Sequence, residues 1–142
     1  MSDYKHPIQL ERVVFTRSIV IAVPQHQPVD PAQLTLGPEK SVNVAAIDGQ
    51  EGKYQVSVGT KLNINGDPAY PYIIDMECVG VFSVDTKLPK EEAVRGVTIT
   101  GHSVLYGAIR ESVAWITGRQ PFGQLMLGLS VLRPAQQELP KE

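Results

Sequence analysis

Strict alternation of apolar and polar residues marks the middle of the chain. The even-numbered positions from Tyr54 to Ile64 are apolar or β-branched, and the odd-numbered positions between them are polar or glycine. A period of two places successive side chains on opposite faces of a β-strand. The pattern therefore predicts a strand with one buried face and one face that is hydrated or paired.

A second alternating run follows a turn. The sequence Asn65-Gly66-Asp67-Pro68 favours positive backbone φ angles and so predicts a hairpin. In the next strand the even positions from 72 to 82 form an apolar face, opposite Asp75 and Glu77. Around residues 79–82 both faces become apolar, and we expect both to be covered there.

Two further strands complete the predicted sheet. Residues 8–23 are rich in β-branched side chains and end at Pro24, and residues 41–47 form a shorter strand. Between them lies a proline-rich connection that also carries Leu34 and Leu36. Proline excludes this connection from a central strand. We therefore predict a four-stranded antiparallel sheet, a meander with a long crossover connection.

The clearest helix is predicted from Ser103, as its N-cap, to Gly118. Residues 88–96, LPKEEAVRG, predict a separate short helix that begins near Pro89. Apolar residues of the main helix span about half its circumference, more than one core requires. One side is expected to pack on the sheet and the other on a second partner. The predicted fold class is α+β, with one main helix on one sheet face.

The chain ends with an apolar segment and a polar tail. Residues 124–132 are predicted to be extended and apolar, whereas residues 133–142 lack apolar periodicity and predict a disordered tail. No repeat or composition change divides the chain, so its 142 residues are interpreted as one domain with a core at about 8–132.

Composition excludes several classes of function. The formal charge is −2 and no Lys/Arg run occurs, which argues against nucleic-acid binding. No signal peptide and no apolar run of membrane-spanning length are visible. A single cysteine, Cys78, cannot form an internal disulfide framework. These features predict a soluble protein of a reducing compartment, which in a bacterium is the cytoplasm.

Residues with catalytic or metal-binding chemistry are few. His6, His26 and His102 are predicted in loops and lack the spacing of metal ligands. Asp75 and Glu77 could form a paired-carboxylate site, but no nucleophile or base accompanies them, which favours a hydrated or subunit-facing surface. Cys78 aligns with apolar residues and is interpreted as a buried thiol rather than a nucleophile. The sequence predicts neither an enzyme nor a cofactor.

The sequence predicts more apolar surface than one core can bury. Exposed apolar patches usually mark association or binding sites. This surface comprises the wide helix face, the two-sided end of the fourth strand and the leucines of the connection. Two interpretations remain open. The surface can serve self-association alone, as in a structural or assembly subunit, or it can also bind extended apolar segments of another chain.

The helix region resembles the SecB family of export chaperones. The family's helix motif is matched by Leu105-Tyr106, Arg110-Glu111 and Arg119, and the segment after the helix by residues 122–125, Phe-Gly-Gln-Leu. The fourth-strand residues DMECVGVFSV and the opening strand with its closing proline also resemble the family. The resemblance extends over about residues 8–132 in the same order.

This resemblance implies a dimer of dimers without catalysis or ATP that holds unfolded polypeptide, either a preprotein or an antitoxin, in apolar grooves. By resemblance, the groove would be lined by Leu34, Leu36, Val42, Val44, Leu127 and Leu129. The oligomer interface would include Leu105, Ala108, Ser112 and Trp115.

Departures from the family concern export. Export members carry first-strand acidic residues that dock the translocation ATPase, whereas Ser18 and Ala22 stand at the matching positions. Export members also have a second, C-terminal helix and often a cysteine-bearing zinc tail, and the residues after Leu132 predict neither. The resemblance therefore supports client holding better than transfer to the export ATPase. The antitoxin-protecting branch of the family needs the groove without the ATPase-docking surface.

Overall fold

The structure is a computed structural model that describes residues 6–130. Strand β1 spans Ile8–Ala22, β2 Glu39–Ala46, β3 Lys53–Leu62 and β4 Tyr72–Val84, and helix α1 spans Lys90–Thr117. A 3-10 turn at Pro31–Gln33 interrupts the connection between β1 and β2. The predicted tail at residues 133–142 lies outside the described residues.

The four strands form one antiparallel sheet in the order β1-β4-β3-β2. Strands β2, β3 and β4 follow one another as a meander, and the long connection carries the chain from one sheet edge to the other. At the turn between β3 and β4, Asn63 has a φ of 55° and Gly66 a φ of 73°. The Asn63 amide also bonds the Asp67 and Tyr72 carbonyls at 3.2 Å each. The predicted fold class and topology are confirmed.

The predicted helix boundaries are wrong at the N-terminus. Helix α1 is one continuous element of 28 residues, so Ser103 is not an N-cap and the short helix predicted near Pro89 is its first turn. His102 consequently lies in the helix rather than in a loop. The buried Ala93 and Val97 carry the helix through residues 90–102, because their burial against the sheet outweighs the poor helix propensity of Gly96 and Gly101.

The core lies between α1 and one face of β3 and β4. The face predicted from alternation is buried, with Val56 and Val58 from β3 packed beside Ile74 and Met76 from β4. Ile64 is the exception, because it lies beyond the end of β3 and its side chain is 49% exposed. The sheet's other face is half-buried along β4, including residues 79 and 81, where cover on both faces was expected.

Two glycines set the distance between helix and sheet. A Cβ atom at Gly101 would lie 3.0 Å from both Cγ atoms of Val56, and one at Gly80 would lie 3.0 Å from Cδ2 of Leu105. Leu105 is therefore fully buried against the chain's own sheet. This corrects its predicted place in an oligomer interface, because no part of the side chain is left for a second subunit.

This packing predicts opposite effects for alanine at two helical glycines. Gly101→Ala should destabilise the protein by about 1–2 kcal/mol, because the branched, fully buried Val56 cannot move away from the new methyl group. Gly107→Ala should stabilise it by about 0.5–1 kcal/mol, since nothing lies within 4 Å of that position and alanine favours helix. Urea unfolding at one fixed protein concentration measures both. Equal effects of the same sign would contradict the close approach at Gly101.

Candidate functional site

Helix α1 leaves apolar surface on its β1 side, which we call the β1 flank. Leu10 and Phe15 lie on the helix-facing side of β1, opposite Phe82 and Cys78, yet they are 47% and 38% exposed. The facing stripe of α1 consists of Val104, Ala108, Ser112 and Trp115, which follow helical spacing. An open depression of about 780 Å³ lies here, lined by Ser18, Ser112, Trp115 and Met126 among others.

The structure thus brings three of the four predicted interface residues to the β1 flank. Ala108 and Ser112 are half-buried, and Trp115 is 65% exposed with the Arg119 guanidinium 4.6 Å from its ring centroid. A tryptophan this exposed beside other apolar side chains is typical of an association surface. Leu105 is separated from them because its side chain points into the core between α1 and the sheet.

The second uncovered region lies along the edge strand β2, and we call it the β2 flank. It comprises Leu34, Leu36, Lys40, Val42 and Val44. Val42 and Val44 pair with Val58 and Val56 and so lie on the helix-facing side, where they are half-buried. Leu34 and Leu36 are 37% and 50% exposed in the connection that leads into β2. Four predicted groove residues therefore form one strip.

The connection is held in place by hydrogen bonds rather than by secondary structure. The Leu36 N–H donates to the Tyr70 hydroxyl at 2.6 Å, and the Gln27 N–H donates to the Pro68 carbonyl at 2.9 Å. The His26 ring lies edge-on to Phe122 at 4.9 Å. The exposed leucines are thus positioned by anchors in their own chain, which lowers the entropy lost when a partner binds them.

The other two predicted groove residues are separated by the fold. Leu127 is 4% exposed within the core, whereas Leu129 is 79% exposed. The Leu127 carbonyl accepts a 2.8 Å hydrogen bond from Nε of Arg110, which fixes the segment against α1. This corrects the prediction for Leu127, because its side chain is not available to a client. Leu129 remains accessible.

A group of buried polar side chains lies beside the β2 flank. The His102 ring stacks on Tyr106 at 5.7 Å, and its Nε2 atom lies 3.0 Å from the Ser130 hydroxyl. The ammonium group of Lys40 lies 5.2 Å from the Tyr106 ring centroid. Within residues 6–130, the Thr60 hydroxyl, the Tyr106 hydroxyl and Nδ1 of His102 are buried without a hydrogen-bond partner.

Burial dominates the electrostatics of this group. It lowers the pKa of His102 below its ordinary value, and the nearby positive charge of Lys40 acts in the same direction. Burial also raises the pKa of Tyr106, so its hydroxyl stays protonated and remains a donor at neutral pH. The sequence pattern did not predict that Lys40, Thr60 and Tyr106 lie together as a polar group. The available signal was the even-numbered position of Lys40, which places it on the same strand face as Val42 and Val44.

The opposite face of the sheet carries carboxylates that are already paired. Arg17 Nε lies 2.8 Å from Asp75, and its Nη1 lies 3.8 Å from Glu77. Glu11, the acidic residue of β1, accepts a 2.9 Å bond from Lys53. Asp75 and Glu77 are therefore arranged around a cation rather than around a shared proton. This geometry supports the surface interpretation of the two acids.

Ser18 and Ala22 do not lie on that opposite face. They pair with Met76 and Tyr72, whose side chains are buried on the helix side. The neighbouring positions that do share the carboxylate face are Arg17, Ile19 and Ile21. None of these three positions carries an acidic side chain.

The remaining candidate groups have local structural roles. Cys78 is fully buried, and burial raises the pKa of its thiol to about 11. Within residues 6–130, no cluster of three His, Cys, Asp or Glu side chains could hold a metal ion. Across the same residues, no helix is long and apolar enough to cross a membrane.

Comparison with solved structures identifies the fold. The chain superposes on the Mycobacterium tuberculosis SecB-like chaperone Rv1957, solved in complex with a ChAD peptide from the Rv1956 HigA1 antitoxin, with a TM-score of 0.62. The alignment covers 87% of this chain and 91% of that one at 24% sequence identity. The fold is that of a SecB-like chaperone. No protein-family model and no curated protein sequence matches the chain.

The SecB-like fold places Cys78 in the centre of the core, which predicts an unreactive thiol. Its raised pKa keeps it protonated at pH 8, so Ellman's reagent should label it far more slowly in the folded protein than in urea. Because folding favours the protonated form, this contribution to stability is complete below the ordinary thiol pKa. It should be lost as pH rises from about 9 toward 11. Equal labelling rates in folded and unfolded protein would contradict the placement.

Proposed function

We propose that this protein is an ATP-independent chaperone that binds extended apolar segments of a non-native polypeptide along the β2 flank. The observation that carries the proposal is the strip of accessible apolar side chains beside an edge strand. That strip occurs in a SecB-like fold whose solved neighbour binds an antitoxin peptide. No cofactor and no catalytic group enter the proposed activity.

The β2 flank offers two kinds of contact. Its leucines and valines can bury apolar client side chains, a gain of about 25 cal/mol per Å² of apolar surface removed from water. Strand β2 is an edge strand, so the backbone on its outer side has no strand partner among residues 6–130. Added strands bind through main-chain hydrogen bonds, which read little sequence. The combination suits unfolded chains of varied sequence.

Two client classes are compatible with this surface, a preprotein destined for export and an antitoxin. The absence of unpaired acids on β1 and β4 in the described residues favours the antitoxin, because the resemblance ties export to acidic docking positions. The antitoxin peptide bound to the solved neighbour supports the same choice. The proposed location is the cytoplasm, where such clients are synthesised.

Self-association is proposed to use the β1 flank. The exposed Trp115, Leu10 and Phe15 lie on one side of the molecule, separate from the β2 flank. By resemblance to SecB, pairing of such surfaces would give a dimer of dimers. The alternative function, an assembly subunit without client, requires the β2 flank also to be buried between subunits.

Client holding predicts a loss of activity when the exposed leucines become polar. Leu34→Ser with Leu36→Ser should remove most of the protein's ability to suppress aggregation of a reduced, alkylated client, measured by light scattering without ATP. Ile64→Ser is the matched control, because Ile64 is 49% exposed but lies at the turn between β3 and β4. It should retain activity. A wild-type protein that suppresses no aggregation would reject the chaperone function and favour the assembly subunit.

The β1 flank predicts a separate effect of Trp115→Ala. In a single chain the side chain is 65% exposed, so its removal should cost less than about 1 kcal/mol of intrinsic stability. In the assembled protein it should cost several kcal/mol and release smaller species, because a large buried aromatic is lost. Light scattering across a dilution series measures the mass. An unchanged mass would show that subunits associate elsewhere.

A further inference from the structure

We propose that Lys40 makes the β2 flank selective for apolar client segments that carry an acidic side chain, with Tyr106 as a second hydrogen-bond donor. This inference rests on the proposed function and specifies the chemistry of the client. It comes from the charges and unpaired donors along the flank rather than from its apolar residues.

Lys40 lies within the proposed binding strip. It alternates with Val42 and Val44 on the helix-facing side of β2 and pairs with Thr60 of β3. Its ammonium reaches over α1, where it lies 5.2 Å from the Tyr106 ring centroid. An extended segment that follows Leu36, Val42 and Val44 must pass this ammonium group.

The charge of Lys40 is not balanced locally. Among residues 6–130 it has no ion-pair partner, in contrast to Lys53 and Arg17, which bind carboxylates on the opposite sheet face. Its sequence neighbour Glu39 lies opposite Lys61 in the register of β2 and β3, and its side chain therefore points to that opposite sheet face. Arg110, on the same side of α1 as Tyr106, binds a carbonyl rather than a carboxylate. The flank is thus locally basic although the whole chain has a charge of −2.

The hydroxyl groups beneath Lys40 are also unsatisfied. Those of Tyr106 and Thr60 are buried without an acceptor in the described part of the chain. A buried donor without an acceptor is unfavourable, and a hydrogen bond to a charged acceptor is stronger than one to a neutral acceptor. The flexible Lys40 side chain can move from the Tyr106 ring when a ligand arrives. A client carboxylate would then meet both an ammonium group and an unpaired hydroxyl.

The test uses two fluorescein-labelled peptides of twelve residues, built from alternating leucine and serine. One carries a central glutamate and the other a glutamine at the same position, so they differ in a single charge. Fluorescence anisotropy gives the Kd of each peptide for the wild-type protein. We expect the glutamate peptide to bind about three- to ten-fold more tightly, a preference that decreases as salt is raised.

Variants of two lysines separate the proposed contact from general electrostatics. Lys40→Gln should abolish the preference, because both peptides then meet the same uncharged side chain. Lys61→Gln removes the same charge from the opposite sheet face and should retain the preference. Tyr106→Phe should reduce it, since only the donor is removed.

Each outcome has a distinct meaning. Binding of both peptides with equal affinity, or a preference that survives Lys40→Gln, would overturn this inference and leave the chaperone function intact. Failure of the wild-type protein to bind either peptide would reject the proposed function and this inference with it. A preference reduced equally by Lys40→Gln and Lys61→Gln would show a general charge effect and would also overturn the role of Lys40.

Discussion

One α-helix is too narrow to cover four β-strands. A helix with its side chains is about 10–12 Å wide, whereas four strands at about 4.8 Å spacing form a wider surface. Helix α1 is drawn close to the centre of the sheet, because Gly101 over Val56 and Gly80 beneath Leu105 allow near contact. Central placement leaves both edge strands incompletely covered. The remaining features of the molecule follow from where this uncovered surface lies.

The two uncovered edges differ in character, which suits them to different partners. On the β1 side the surface includes a helix stripe with an exposed tryptophan, a rigid feature that a second copy can match. On the β2 side it consists of a strand edge and a connection, with unsatisfied polar groups beside it. Main-chain groups of an edge strand read little sequence, whereas Lys40 adds a local positive charge. A single packing constraint thus leaves two separate apolar surfaces, one on each side of the helix.

Sequence periodicity predicted the parts of this arrangement that depend on local geometry. Alternation found the buried faces of β3 and β4, because a strand's side chains must alternate wherever one face is covered. It did not separate Leu105 from Trp115, since both fall within one broad apolar arc and only the sheet position decides which is buried. The helix start was missed because tertiary packing of Val97 and Gly101 carries α1 through a region of weak propensity. Leu127 was misplaced for a related reason: an irregular segment has no period from which to infer its buried side.

The outer face of the sheet pairs its carboxylates with basic side chains. Asp75 and Glu11 lie 2.8 and 2.9 Å from Arg17 and Lys53, and Arg17 also lies 3.8 Å from Glu77, so the negative field of these three carboxylates is weaker at a distance than their number implies. Docking of a basic partner would have to break these pairs or accept the arginine between them. On the same face, β1 also presents Ile19 and Ile21, which are 38% and 50% exposed. A face that combines paired acids with exposed isoleucines attracts a basic surface less strongly than the same acids would unpaired. On the helix side of the β2 edge, by contrast, Lys40 has no ion-pair partner among residues 6–130, so the charge beside the accessible apolar strip is positive.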